Sequence, residues 1–229
     1  MTIDLNKGWF FCKEGGIPAE IDLPHDAMLA EPRDRTCRNG VNTGYFPGGK
    51  YRYEKRFALE EAAVGKSIVL HFEGVYQNCK VYMNGELVGA HHYGYTAFDV
   101  DISDAVQAGE NLLRVTVDNS LEPNCRWYSG SGIYRSVTMR IRNKNHISGV
   151  HLETVDIRPA RVRAEVTTTQ PCNVTVEFYD GETLVASGAP GCLEIPDAKL
   201  WNAENPYLYR VLVRTDTDAQ TIFRSEEHT

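Results

Sequence analysis

The chain has 229 residues, 42% hydrophobic and 24% charged, with a formal net charge of −7. That size holds one large β domain or two smaller ones, in an ordinary globular composition. The negative balance argues against nucleic acid, which needs a concentrated basic face; even the cluster Arg33, Arg35 and Arg38 is interleaved with Glu31 and Asp34. No apolar run approaches the ~20 residues that span a bilayer, so no membrane partner is expected. The start, MTIDLNKGWFF, carries no basic-then-apolar leader and runs into a first strand, which predicts a cytoplasmic protein.

Strand patterns dominate. SIVLHFEGV places Ile68, Leu70 and Phe72 on one face. CKVYMNGELVG reads as a hairpin in which Cys79, Val81 and Met83 alternate and Asn84-Gly85 turns. DISDAVQAGEN predicts one short helical turn, capped by Ser103 and ended by Gly109. NLLRVTVDN then points Leu113, Val115 and Val117 inward, and SVTMRIRNK does the same with Val137, Met139 and Ile141. RNKNHIS, from Arg142 to Ser148, is a polar connector without periodicity. A second β series follows: ARVRAEV, a hairpin turning at Asp180-Gly181, and PYLYRVLVRT. The expected fold is all-β, with a jelly-roll sandwich over 1–144 and an immunoglobulin-like sandwich over 145–223. The last six residues, RSEEHT (224–229), match the in-frame translation of a sequencing adapter and are expected to be a non-native tail.

Between two of these strands lies NSLEPNCRWYSGSGIYR, Asn119 to Arg135. Arg126, Trp127, Tyr128 and Tyr134 supply flat faces and donors, while Ser129, Gly130, Ser131 and Gly132 let a ligand approach the backbone. Aromatic faces for C–H groups and charged donors for hydroxyls are the parts of a polyol-binding surface. The competing reading is a glycine-rich turn with Trp127 as a core plug. Other chemistry is weakly signalled. Glu60 with Glu61 and Asp99 with Asp101 read as solvated or strand-end carboxylates and not as the facing pair glycoside hydrolysis needs, so no catalytic residue is assigned. Gly130-Ser131-Gly132 lacks the strand-to-helix elbow of a serine nucleophile. His91 and His92, adjacent on a strand, point to opposite faces, so no metal site is assigned to them. Pro24-His25-Asp26 reads as a buried loop anchor. The six cysteines form no CxxC pair; Cys79 reads as a core residue and Cys125 as a free, structural thiol.

Taken in order, LNKGWFF, LPHDAM, TGYFPGGKYRYEKRF, FEGVYQNCKVYMNGELVG, HHYGYTAFDVDIS, VDNSLEPNCRWYSGSGIYR and LWNAENPYLYRVLV resemble the N-terminal part of glycoside hydrolase family 2 enzymes, bacterial β-galactosidases in particular. The resemblance covers nearly all of Met1 to Arg224. It implies a sugar-binding jelly roll, an immunoglobulin-like sandwich, and then a catalytic TIM barrel of ~250 residues that this chain does not contain. It also implies a retaining exoglycosidase acting on a β-galactoside, with this stretch inactive alone, and a homo-oligomer as a possible assembly. No cofactor is expected here; magnesium or sodium ligands of the full enzyme would lie largely in the missing part. In relatives a jelly-roll loop touches the non-reducing sugar, and some place an aspartate nine residues before the arginine ending the GIYR motif. Here that position is Arg126, a donor to hydroxyls or the partner of a barrel carboxylate. Trp127, Tyr128 and Asn42 join it as expected substrate contacts, Tyr45 to Gly49 forms a second loop near the site, and Arg135 is expected in a structural ion pair. The surface that meets the barrel is expected to be apolar and exposed. The rival reading is a free-standing carbohydrate-binding module.

Overall fold

The computed structural model describes residues 1–225. Its contacts divide the chain into one unit from Met1 to Arg142 and a second beginning at Asn143, two residues before the expected boundary.

The first unit contains β1 (Thr2–Asp4), β2 (Trp9–Lys13), β3 (Ala19–Ile21), β4 (Gly49–Leu59), β5 (Ser67–Phe72), β6 (Cys79–Met83), β7 (Glu86–His91), β8 (Phe98–Asp101), β9 (Gly109–Asn119) and β10 (Val137–Arg142). They form two antiparallel sheets, ordered β1-β10-β5-β8 and β3-β2-β4-β9-β6-β7. Strand alternation explains the core. Ile68, Leu70 and Phe72 with Val137, Met139 and Ile141 come from the smaller sheet. They meet Cys79, Val81, Met83, Leu113, Val115 and Val117 from the larger one. Burial pushes the Cys79 thiol up to about 11, so it remains a protonated, inert hydrophobe. The β6–β7 hairpin turns at Asn84 and Gly85, both with positive φ (50° and 93°), as the Asn-Gly pair demands. The eleven residues of β4 pair one for one with β9, which sets Gly49 opposite Asn119 at the mouth of the loop that follows.

The short helix expected after Asp101 does not form. A single turn, Ala105 N–H to Ile102 C=O, stands in its place. The Asp101 carboxylate accepts from the Ser103 N–H and hydroxyl, and Ser103 Oγ in turn accepts the Ile68 N–H of β5 (2.9 Å). Local side-chain bonding thus competes with helix propagation.

The second unit contains β11 (Ile147–Ile157), β12 (Ala160–Thr168), β13 (Thr175–Asp180), β14 (Thr183–Gly188), β15 (Gly191–Ile195), β16 (Tyr209–Arg214) and β17 (Ala219–Arg224). Sheets β11-β12-β15 and β14-β13-β16-β17, again antiparallel, enclose Val162, Ala164, Val176, Phe178, Val211 and Val213. Arg224, placed by sequence in the expected tail, is the last residue of β17. It pairs with Tyr209 and donates to Leu152 C=O and Thr154 Oγ1. Residues 226–229 of that tail lie outside the described residues. The architecture is all-β, a sandwich in each unit.

Candidate functional site

The loop between β9 and β10 is shaped by buried polar side chains. Asn119, 1% exposed, is the hub. Its Nδ2 donates to Ser131 Oγ (2.5 Å) and Gly130 C=O (3.2 Å), and its Oδ1 accepts from Asn124 Nδ2 and from Gln77 Nε2 (3.4 Å). The Asn124 N–H donates to Oδ1 of buried Asn39 (2.8 Å), and Tyr76 donates to Asn124 Oδ1 (3.0 Å). Burial comes first among the causes that raise the Tyr76 hydroxyl pKa, so it stays a donor. Such a network is costly to disrupt, because each member leaves another unsatisfied.

Asp26 closes the far side. Its Oδ1 accepts the N–H groups of Met28 and Ser131 (both 3.0 Å), and its Oδ2 accepts the Tyr128 hydroxyl (2.7 Å). Backbone pairs Ala27 to Ser131 and His25 to Ile133 run alongside. The His25-Asp26 pair is therefore a loop anchor. His25 Nδ1 lies 2.9 Å from the Tyr53 hydroxyl, and burial holds the imidazole below its usual range. Two glycines are required by this closure. A Cβ at Gly132 (φ 98°) would fall 1.9 Å from the Tyr53 hydroxyl, and one at Gly130 (φ 69°) would fall 2.9 Å from Asp26 Oδ2.

Trp127 is 57% exposed and donates its indole N–H to the Tyr95 hydroxyl (2.8 Å), which excludes the core-plug reading. Tyr128 packs its ring edge-on against Phe46 at 5.3 Å; burial first and the Asp26 bond second raise its hydroxyl pKa, keeping it a donor. Arg126 is exposed and has no hydrogen bond or ion pair among the described residues. Asn42 sits exposed on the 3₁₀ turn Gly40–Thr43, its side chain likewise without a bond among the described residues. The Asn39–Asn124 bond joins that turn to the Arg126 loop. Phe46, from the second expected loop, carries the Arg33 guanidinium 5.4 Å over its ring and also meets the Tyr128 ring. Arg135 departs from expectation: it is exposed and lies 5.4 Å over the Tyr134 ring, with no ion pair among the described residues.

Sequence reasoning read His25-Asp26 as a loop anchor but missed the roles of Asn39 and Tyr95. Elsewhere, His91 bonds Thr96 and His92 bonds Asn78, and Cys125 directs its Sγ to the Trp127 C=O (3.1 Å). No group of three or more His, Cys, Asp or Glu side chains that could hold a metal is gathered among the described residues. Nor is any helix there long and apolar enough to cross a membrane.

Comparison with known proteins gives this loop its context. The model for the glycosyl hydrolases family 2 sugar-binding domain matches residues 41–143, and a second glycosyl hydrolases family 2 model matches 136–229. The chain is 30% identical to the β-galactosidase BoGH2A of Bacteroides ovatus, over 98% of this chain and 30% of that protein. It is 27% identical to a β-glucuronidase of Streptococcus agalactiae, over 97% of this chain and 42% of that one. A crystal structure of a glycosyl hydrolase family 2 member from Bacteroides cellulosilyticus superimposes with a TM-score of 0.84 at 29% identity, covering 98% of this chain and 35% of the other. The chain thus spans between 30% and 42% of the length of these relatives. With both of its sandwiches matched in order, the chain belongs to glycosyl hydrolase family 2.

Proposed function

We propose that this chain is the non-catalytic, substrate-facing front of a β-galactosidase-like exoglycosidase, and that its β9–β10 loop forms one wall of the sugar site. The observation that carries the reading is the contrast within that loop. Asn119, Asn124 and Asp26 are consumed in holding it, while Arg126 has no partner among the described residues and Trp127 is 57% exposed. A preorganised loop presenting a free guanidinium and an indole face spends no binding energy on ordering itself. Arg126 donates to sugar hydroxyls, Trp127 and Tyr128 cover the C–H face, and Asn42 adds an amide from the adjoining turn.

Hydrolysis belongs to the remainder of the parent protein. A retaining mechanism needs two carboxylates ~5 Å apart, one as acid/base and one as nucleophile. Here the candidate acids are otherwise engaged: Asp26 braces the loop, Glu31 accepts from Tyr51 and Lys13, and Asp99 pairs with His71 and Arg140. Any magnesium or sodium the parent enzyme uses is held, on this reading, by residues beyond this chain. The exposed aromatic surface of Tyr93 and Tyr95, beside Trp127, is where the barrel or a neighbouring subunit would rest.

The test is to assay nitrophenyl β-galactoside hydrolysis by the 229-residue chain and by the protein translated from the uninterrupted genomic reading frame. Turnover by the longer protein alone is expected. Turnover by this chain alone, or a natural stop codon directly after the second sandwich, overturns the reading.

A further inference from the structure

The outward face of the six-stranded sheet carries a second constellation. Strand register lines up Cys12, Arg52, Thr116 and Lys80 in one cross-strand row and Phe10, Glu54, Arg114 and Tyr82 in the next. Two adjoining cavities open over these rows, about 420 and 640 Å³, and share Glu14, Tyr82 and Thr116 in their walls. Both volumes lie in the range of ligand sites, ~300–1,000 Å³.

The charges decide the ligand class. Arg114 Nε lies 2.8 Å from Glu54, Arg52 Nε 3.7 Å from the same carboxylate, and Lys50 Nζ 3.9 Å from Asp118. Arg52 and Arg114 share Glu54, Lys50 faces Asp118, and Lys80 lines the same cavity as Glu14, so cations and acids nearly balance and the groove presents no strong field for a polyanion. The last two separations exceed hydrogen-bond reach, leaving donors and acceptors that still seek partners. Glu14 and Lys80 have no ion pair or side-chain hydrogen bond among the described residues, and neither does the Tyr82 hydroxyl. Unpaired groups of both signs around one aromatic ring suit hydroxyls, which donate and accept, set on a ring with a C–H face. A peptide would instead call for an apolar anchor pocket or an open strand edge.

We propose that this sheet face binds a neutral oligosaccharide, with Tyr82 as its platform and Lys80, Glu14 and Thr116 as hydrogen-bonding partners. The site is separate from the β9–β10 loop and gives the chain a hold on a polymeric glycan independent of the terminal sugar.

Titration of the 229-residue chain, observed by NMR, tests this with neutral β-linked tetrasaccharides of galacto, gluco and xylo configuration and with a sulfated tetrasaccharide. At least one neutral ligand is expected to shift the amides of Lys80, Tyr82 and Thr116 and leave the Trp127 indole N–H in place. Tyr82→Ala should weaken that binding about tenfold, with Tyr82→Phe retaining most of it. The proposal is overturned by no response to any neutral ligand, by a response confined to the sulfated one, or by shifts centred on Trp127. If Tyr82→Ala does not fold, the shift pattern of the unsubstituted chain decides.

Discussion

The two units solve the same architectural problem with different materials. Both are sandwiches filled by alternating apolar side chains, yet the first buries Asn39, Thr43, Asn111, Asn119 and Ser131, while the second buries, among polar residues, Glu177. Glu177 is neutralised by Arg214 on the adjacent strand and by the Tyr179 hydroxyl (2.9 Å). In the first unit the buried asparagines and serine hold a loop: Asn119 binds Ser131 across it, and Asn39 binds Asn124 from 85 positions away. Buried polar groups are retained at a cost when they fix a geometry that apolar packing would leave loose. The first unit is built to hold a loop in one shape; the second is built to be a stable sandwich.

The largest effect that would break this contrast is expected at the hub. Asn119→Ala takes a donor from the Ser131 hydroxyl and the acceptor from Asn124 Nδ2, and should cost the first unit about 3 kcal/mol while leaving the second unit's unfolding unchanged. Unfolding followed by residue-specific NMR signals measures both at once. A loss below ~0.5 kcal/mol, typical of a surface change, would mean the network is incidental.

Acid should separate the units more gently. In the first, burial depresses the His25 imidazole, so the folded state resists a proton that the unfolded chain accepts near 6.5. Stability from this group is full above that value and falls as pH drops through the depressed pKa. In the second, the hydrogen bond from Arg214 lowers Glu177 from its ordinary 4.5, so that contribution persists until the pH falls below this value. The first unit should therefore begin to weaken between pH 6.5 and 4.5, where the second holds. His25→Gln should flatten that interval for the first unit.

The same contrast explains what could be read from sequence. The β5, β6, β9 and β10 strands were legible because a period of two records which face is buried, and the Asn84-Gly85 turn because few residue pairs accept two positive φ values. The loop's composition was legible too, and so was its anchor at His25-Asp26. Its mechanism of holding was not. Asp26 meets Ser131 across 105 positions and Asn124 meets Asn39 across 85, and such pairings leave no periodic trace. For Trp127, composition allowed both a plug and an exposed face; only its partner Tyr95, contributed by a distant turn, decides it. The Ser103 turn failed as a helix for a related reason, since Ser103 bonds a strand that local propensity does not see.

The most direct test of the account is the value of kcat/KM on nitrophenyl β-galactoside for Arg126→Ala in the full-length enzyme. A guanidinium that hydrogen-bonds the sugar predicts a loss of about ten- to a hundredfold, with the sandwich intact. Unchanged kinetics would contradict the claim that this loop meets the substrate.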